Sequence, residues 1–347
     1  LTTEIAAERG VSVDRDGFDA EMTSQKERAR AAWKGGETAA KEDAYRRLLD
    51  AIGPTDFLGY DEDLTTAKVL ALVSDGEQVD GAGEGTPVEV FLDRTPFYAE
   101  SGGQVGDVGT LKTATGLIRI SDTQHAVQGL HGHRGVVTKG SVTVGQDAEA
   151  IIDSPRRDQI RKAHTGTHIL YAAIRNVVGD HVQQAGSLNE AGRLRFDFSH
   201  YEGLDAETMN EVERLANERV VSNVPVQTQV LPKEEAMQTG AVAFFGDKYG
   251  EIVRVVSVGG FSKEFCGGTH VDTAGAVGPL VVTTESSIGA NTRRVEALVG
   301  DSGYGRLAEL RSSLGRASAL LRAPEEEVPA RIEALLERTK QLEGELD

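Results

Sequence analysis

Two short segments constrain this chain more than anything else in it: His164-Thr165-Gly166-Thr167-His168 and Cys266-Gly267-Gly268-Thr269-His270. The first lies in a stretch, Ser154 to about Val178, that reads as one helix with Ser154 as N-cap and Pro155 at the first helical position. At 3.6 residues per turn, positions 164 and 168 share a face and their imidazoles converge. The second segment, about a hundred residues later, holds the only cysteine and a third histidine, again four positions apart. Brought together, the two pairs make a three-nitrogen, one-sulfur set that suits zinc. The fold is therefore expected to carry the cysteine loop to the two-histidine face of the helix.

Each pair alone has an ordinary explanation. Histidines at i and i+4 commonly lie on a surface or in a satisfied core, and a lone cysteine is commonly a small buried hydrophobe. Their concurrence favours a metal or catalytic site, and Gly267 and Gly268 allow a tight loop with close backbone approach. One chemistry is excluded. A zinc protease of the HExxH type needs glutamate beside the first histidine as general base, and here Thr165 stands in its place.

With these two motifs go Glu100-Ser101-Gly102-Gly103-Gln104, Gly246-Asp247-Lys248-Tyr249-Gly250 and Arg293-Arg294-Val295-Glu296-Ala297. In this order and spacing the five resemble the editing region of bacterial alanyl-tRNA synthetases, and the resemblance covers nearly all of the chain. It implies a C-terminal fragment of such an enzyme that contains the editing domain.

The formal net charge of −18 argues against wholesale electrostatic binding of nucleic acid, so RNA contact should be local, through a few placed cations. A single cysteine forbids an intrachain disulfide and fits a reducing, cytoplasmic setting. No run approaches the roughly 18 apolar residues of a membrane span, so no membrane partner is expected. The chain starts at Leu1 in a helical pattern, which reads as a piece of a longer protein.

The fold class is expected to be α+β: a small β-barrel followed by a two-layer α/β editing domain, with helical segments at both ends. Residues 1–55 read as a helical connector: a first helix ending at Gly10, a second over Gly17–Trp33 with Phe18, Met22, Ala29 and Trp33 as a loose stripe, and a third over Thr38–Ile52 stopped by Gly53-Pro54. Lys26, Arg28 and Arg30, interleaved with Glu27, read as a solvated face. Residues 56–153 change to short strands, at Ala67–Val73, Val88–Leu92, Leu117–Ser121, Gly135–Thr138 and Ala148–Ile152, a barrel pattern interrupted by the glycine-rich stretch at 100–107. That stretch either turns a barrel corner or forms a backbone surface beside the site. His125, His131 and His133 lack the cysteine or carboxylate company of a second metal site.

Residues 154–300 alternate helix and strand, with strands near His181–Leu188, Arg193–Ser199, Val224–Leu231, Ile252–Val258, Pro279–Glu285 and Thr292–Val299 and helices at Asp205–Ser222 and from Lys233. Residues 301–347 read as a helical or coiled-coil arm, with Leu307, Leu310, Leu314, Ala317 and Leu321 and then Ile332, Leu335, Leu336 and Leu342 at helical spacing.

The resemblance implies a function. A synthetic pocket made for alanine cannot exclude glycine and only weakly rejects serine, since one methylene discriminates by roughly 1–3 kcal/mol. A second site that hydrolyses the ester of Ser-tRNA(Ala) and Gly-tRNA(Ala) repairs this. The whole enzyme would attach alanine to tRNA(Ala) with ATP, which belongs to a part absent here, because no class II active-site motif is recognisable. The catalytic and metal candidates are His164, His168, Cys266 and His270, holding one Zn2+. Thr165, Thr167 and Gln184 are candidate partners for the serine hydroxyl, Gln184 because it matches a pocket position in the family. Arg156, Arg157, Arg161 and Lys162 crowd the first turns of the helix, where free N–H groups favour phosphate. With Gly102, Gly103, Gln104 and Arg293, the last placed in editing by the resemblance, these arginines are the expected contacts to the tRNA acceptor end. A homodimer through the C-terminal arm is a further expectation. The rival readings are a free-standing trans-editing deacylase and a non-catalytic, zinc-stabilised RNA-binding module.

Overall fold

The computed structural model describes residue 17, residues 35–243 and residues 250–346. The helices expected before residue 34 and most of the Gly246–Gly250 motif lie outside the described residues. The chain divides into two compact units, one holding residues up to Pro54 together with Ala126–Leu130, the other Thr55–His125 and everything from His131 on. In the first, helix α1 (Gly35–Ile52) ends at Gly53, whose φ of +78° and N–H bond to Leu49 O stop it as the Gly-Pro signal foretells.

The second unit begins with a barrel. Its strands are β1 (Leu64–Ser74), β2 (Pro87–Leu92), β3 (Gly109–Thr113), β4 (Gly116–Val127), β5 (Leu130–Thr143) and β6 (Asp147–Ile152). They pair in the order β6-β3-β4-β5-β2-β1, and β6 also pairs β1, so the sheet closes on itself and leaves no edge among the six. Inward-facing Val69, Leu72, Val90, Leu92, Leu111, Ile118, Ile120, Val137 and Ile152 fill it. Strand β3 was not foreseen; at five residues with one buried leucine and Gly109 at its start, it carries almost no pattern of its own. Where Gly109 lies, any Cβ would sit 2.1 Å from Ile151 O, so the close pairing with β6 demands glycine.

Helix α2 (Ser154–Val178) follows. Its cap is Asp153, one residue earlier than expected: the Asp153 carboxylate accepts from Arg156 N at 3.0 Å and Ser154 is already helical. A carboxylate at this point also meets the positive end of the helix dipole. From Ala163 to Ile174 every residue is buried, as befits a helix covered on all sides. Gly166 lets strand side chains approach, since a Cβ there would meet Leu194 and Val299 at 3.1 Å.

Beyond α2 the elements are β7 (Gln184–Glu190), β8 (Arg193–Ser199), α3 (Ala206–Val221), β9 (Val226–Pro232), α4 (Lys233–Gln238), β10 (Ile252–Val258), β11 (Ser262–Phe265), β12 (Val281–Gly289) and β13 (Thr292–Leu298). They form a four-stranded sheet, β7-β8-β13-β12, and a three-stranded sheet, β9-β10-β11. One hydrophobic cluster joins α2 (Ile169, Leu170, Ile174), α3 (Val212, Ala216) and the four-stranded sheet (Leu194, Phe196, Phe198, Val295, Ala297). The mixed helix and strand content and the closed barrel agree with the expected class. Strand β11, hidden in Ser-Lys-Glu-Phe, was not foreseen and proves important below.

The chain ends in helices α5 (Gly300–Leu321) and α6 (Val328–Leu346), which touch across a short turn while Leu307, Leu310, Leu314, Ile332, Leu335, Leu336 and Leu342 stay exposed. Among the described residues no helix is long and apolar enough to cross a membrane.

Arg157 locks α2 to the barrel loops. Its side chain is fully buried, and its nitrogens donate to both Asp107 carboxylate oxygens, Gly59 O (2.7 Å) and Pro96 O (2.9 Å). Asp107 also accepts from Tyr98 N at 2.7 Å. Removing one partner strands a buried charge, so Arg157→Met should cost about 3–5 kcal/mol, read as a lower urea midpoint at unchanged slope.

Candidate functional site

The two motifs meet. One donor atom from each of His164, His168, Cys266 and His270 lies within 4.8 Å of the others. Cys266 Sγ is 3.3 Å from both His164 Nε2 and His270 Nε2.

The far nitrogen of each ring is held by a different element. His164 Nδ1 donates to Gln104 Oε1 at 2.9 Å. That oxygen also accepts from Thr269 N at 2.9 Å, while Gln104 Nε2 donates to Thr269 Oγ1, so the amide has one orientation and His164 Nδ1 must carry a hydrogen. His270 Nδ1 lies 3.1 Å from Thr165 Oγ1, which accepts from Val271 N. His168 Nδ1 makes a 2.6 Å ion-pair contact with Glu264 Oε2. Each ring thereby leaves Nε2 for the shared centre, the arrangement by which outer groups orient metal-binding histidines.

Burial opposes ionisation of the Cys266 thiol, but the His164, His270 and His168 imidazoles outweigh it and hold the thiol well below its usual pKa. His168 is pushed up to about 10, because Glu264 and Cys266 overcome the burial that would lower it. Burial takes His270 down to about 3 despite the neighbouring thiolate.

A tetrahedral zinc ion with bonds of about 2.0–2.3 Å separates its ligand atoms by about 3.3–3.6 Å. The two 3.3 Å sulfur–nitrogen spacings, the donor types and the anchored Nδ1 atoms fit that requirement. Among the described residues these four form the one group able to hold such an ion. His133 is instead bonded to Thr95 Oγ1 and Val90 O inside the barrel wall.

Beside the four donors opens a cavity of about 410 Å³. Its walls include His164, His168 and Cys266, with Thr167, Gln184 and Ser187 as polar groups and Tyr98, Tyr171 and Phe196 as apolar ones. Gln184 Nε2 donates to Ser187 Oγ at 3.1 Å. Thr167 Oγ1 lies 3.1 Å from Ala163 O and 2.6 Å from Asn189 Oδ1, and its one proton can serve only one of them.

The glycine-rich stretch lies against the site. Gly103 O accepts from Asn189 N and Val105 N donates to Asn189 O, which lays the loop along β7, while Ser101 and Gly102 line the cavity. Gly103 is required: φ is +82°, and a Cβ would fall 2.2 Å from Ser187 Oγ.

Two expected RNA contacts need correction. Arg157 is fully buried in its pairing with Asp107, and Gln104, also 0% exposed, is spent on His164 and Thr269, so neither side chain can reach a phosphate. Arg156 reaches Gly106 O, Arg161 bridges Asp158 and Asp63, and Arg293 forms a two-pronged pair with Glu285; all three keep some exposure.

Sequence reasoning missed Glu264, Tyr60 and Arg254. Glu264 lies two residues before Cys266, and the alternation of an unrecognised strand was the signal available. Arg254 Nη1 donates to Cys266 O and Gly268 O, and Tyr60 OH donates to Gly267 O beneath the guanidinium, so the two clamp the loop backbone.

Residues 1–156 match the tRNA synthetases of class II (A), and residues 253–296 match the second additional domain of threonyl and alanyl tRNA synthetases. These two matches identify part of a class II synthetase that carries that additional domain. The chain belongs to the alanyl-tRNA synthetase family. It is 44% identical to the alanine–tRNA ligase of Solibacter usitatus over 99% of its length and to that of Streptomyces avermitilis over 100%, in each case 39% of the relative. The ligase of an Anaeromyxobacter species is 45% identical over 100% of the chain and 38% of its own. The chain therefore spans about two fifths of the relatives it matches.

Gly268 tests the geometry. A Cβ there would fall 2.0 Å from His164 Cε1 and 3.0 Å from Gln104 Oε1. Gly268→Ala should cost about 1–3 kcal/mol in urea unfolding. It should also slow alkylation of Cys266, whose thiolate loses an imidazole neighbour.

Proposed function

We propose that residues 154–300 are the two-layer α+β editing domain of an alanyl-tRNA synthetase and hydrolyse the ester of tRNA(Ala) mischarged with serine or glycine. The observation that carries the reading is the placement of His164, His168 and Cys266, three of the four convergent donors, on the wall of a small, partly apolar cavity whose remaining polar groups suit a hydroxyl. The match to the second additional domain supports it. In the whole protein, alanine would be attached to tRNA(Ala) with ATP elsewhere, the 1–55 stretch would serve as connector and the 56–153 barrel would present the glycine-rich loop.

The roles follow from position. His164, His168, Cys266 and His270 would hold Zn2+, which when bound supplies charge to polarise the ester. The Nδ1 anchors Gln104, Glu264 and Thr165 keep the rings in place before substrate arrives, so no reorganisation is needed at the reaction. Thr167 and Gln184 are the partners for the serine Oγ. An alanyl ester would forfeit the hydrogen bond that the seryl ester makes there, a difference of about 1–3 kcal/mol. The acceptor end would enter along Gly102 and Gly103, with Arg156, Arg161 and Arg293 placed for its phosphates. Self-association would use the exposed leucines of α5 and α6.

The test is release of serine, glycine and alanine from charged tRNA(Ala) by the purified chain. Seryl and glycyl esters should be lost well above the buffer rate and the alanyl ester spared; equal loss with and without protein would end the proposal. Gln184→Ala should lower kcat/KM for the seryl ester by about 5- to 150-fold and change the glycyl ester little.

A second reading, a zinc-stabilised RNA-binding module without catalysis, is favoured by the four-donor set, which leaves no open position on a tetrahedral ion. The two diverge at Cys266→Ala. The editing reading expects a folded protein that has lost deacylation, the module reading a protein unfolded by circular dichroism. In the same assay, Glu264→Gln should weaken zinc binding by about 10- to 100-fold in a chelator competition.

A further inference from the structure

At the start of β7, just before the cavity-lining Gln184, three rings lie together on the surface. His181 and His200 have centroids 5.1 Å apart with His181 Nε2 2.9 Å from His200 Nδ1, and Tyr201 follows at 4.6 Å from His200 and 6.1 Å from His181. The backbone beneath is tied down: Ser199 N donates to Gln183 O, Ser199 Oγ to His181 O, Gln183 N to Ser199 Oγ, and His200 N to Asn291 O. His200 is buried, yet Tyr201 is 71% exposed. Its ring is thus held on a fixed base with most of its surface in water. Nothing in the ester chemistry proposed above uses these rings.

Their position gives them a use. Gln184 is three residues from His181, no more than about 11 Å along the chain. On the other side Gly203 brings the backbone beside Arg293, so close that a Cβ would fall 3.2 Å from Nη2. A flat, supported aromatic surface, with a guanidinium close to the backbone that follows it, suits an unpaired nucleobase, which stacks by its face whatever its identity. The local charge fits face contact better than phosphate contact, because Glu202 and Asp180 lie at neighbouring positions.

We propose that Tyr201, supported by His200 and His181, is a stacking platform for a base of the single-stranded 3′ end of the RNA whose terminal ester enters the cavity. The proposal rests on the editing reading for its substrate but not for its ring geometry. Tyr201 is a positioning residue: it holds the strand while chemistry proceeds at the four donors.

The experiment is steady-state deacylation of seryl-tRNA(Ala) by Tyr201→Ala, Tyr201→Phe and the unaltered chain. Tyr201→Ala should raise KM at least fivefold, the low end of what one stacked base contributes, with kcat unchanged, and Tyr201→Phe should restore KM. The side chain is exposed, and circular dichroism of each variant checks that it folds. A KM within twofold of the unaltered value, or Tyr201→Phe as defective as Tyr201→Ala, overturns the platform and leaves editing intact. If the unaltered chain releases no serine, editing falls and a second probe decides the platform alone. Emission of Tyr201→Trp, corrected for Trp33, should be quenched by a short single-stranded RNA ending in CCA; unchanged emission at saturating RNA overturns it.

Discussion

Everything at the site depends on three imidazoles being turned the same way. A histidine ring has two nitrogens, and which one is free for a shared centre is settled by what the other one meets. Here Gln104 fixes His164, Glu264 faces His168 and Thr165 meets His270. These anchors come from the glycine-rich loop between barrel strands β2 and β3, from β11 and from α2. The donor set is therefore a product of the whole second unit, not of the helix that supplies two of its members.

That dependence explains several features with no chemistry of their own. The Arg157–Asp107 pair fastens α2 to the loops that deliver Gln104. Gly103 and Gly268 are glycines because two backbones pass where a methyl group would collide, one against Ser187 and one against the His164 ring. Arg254 and Tyr60 hold the carbonyls of the cysteine loop, so Cys266 Sγ is presented by a fixed backbone. Rigid support of this kind lets a cluster of like ionisable groups persist in a dry setting, where each would otherwise shed its charge or swing into solvent.

Most elements could be read from the chain because their signals are local. The 3.6-residue recurrence and the Pro155 start gave α2, although the cap is Asp153 because a carboxylate there both accepts Arg156 N and meets the helix dipole. Alternation gave the longer barrel strands, and β8 and β10 were bounded correctly at Arg193–Ser199 and Ile252–Val258. Strands β3 and β11 escaped because five and four residues are too few to show a period. With β11 went Glu264, the carboxylate that meets His168. Arg157 and Gln104 were misjudged for a related reason: a cation at a helix start and a glutamine in a glycine-rich loop look solvent-facing until tertiary packing closes over them.

The sequence by itself determined which atoms could form the centre, since it holds a single thiol and places two histidine-bearing segments at four-residue spacing, and spacing on a helix is a property of the covalent chain. Only the tertiary structure decided that Cys266 stands 3.3 Å from two of those rings, which ring nitrogen faces it, and which cations are sealed inside. Those facts depend on contacts between residues up to 207 positions apart, as in the Tyr60–Gly267 pair, and no local pattern encodes a distance across that much chain.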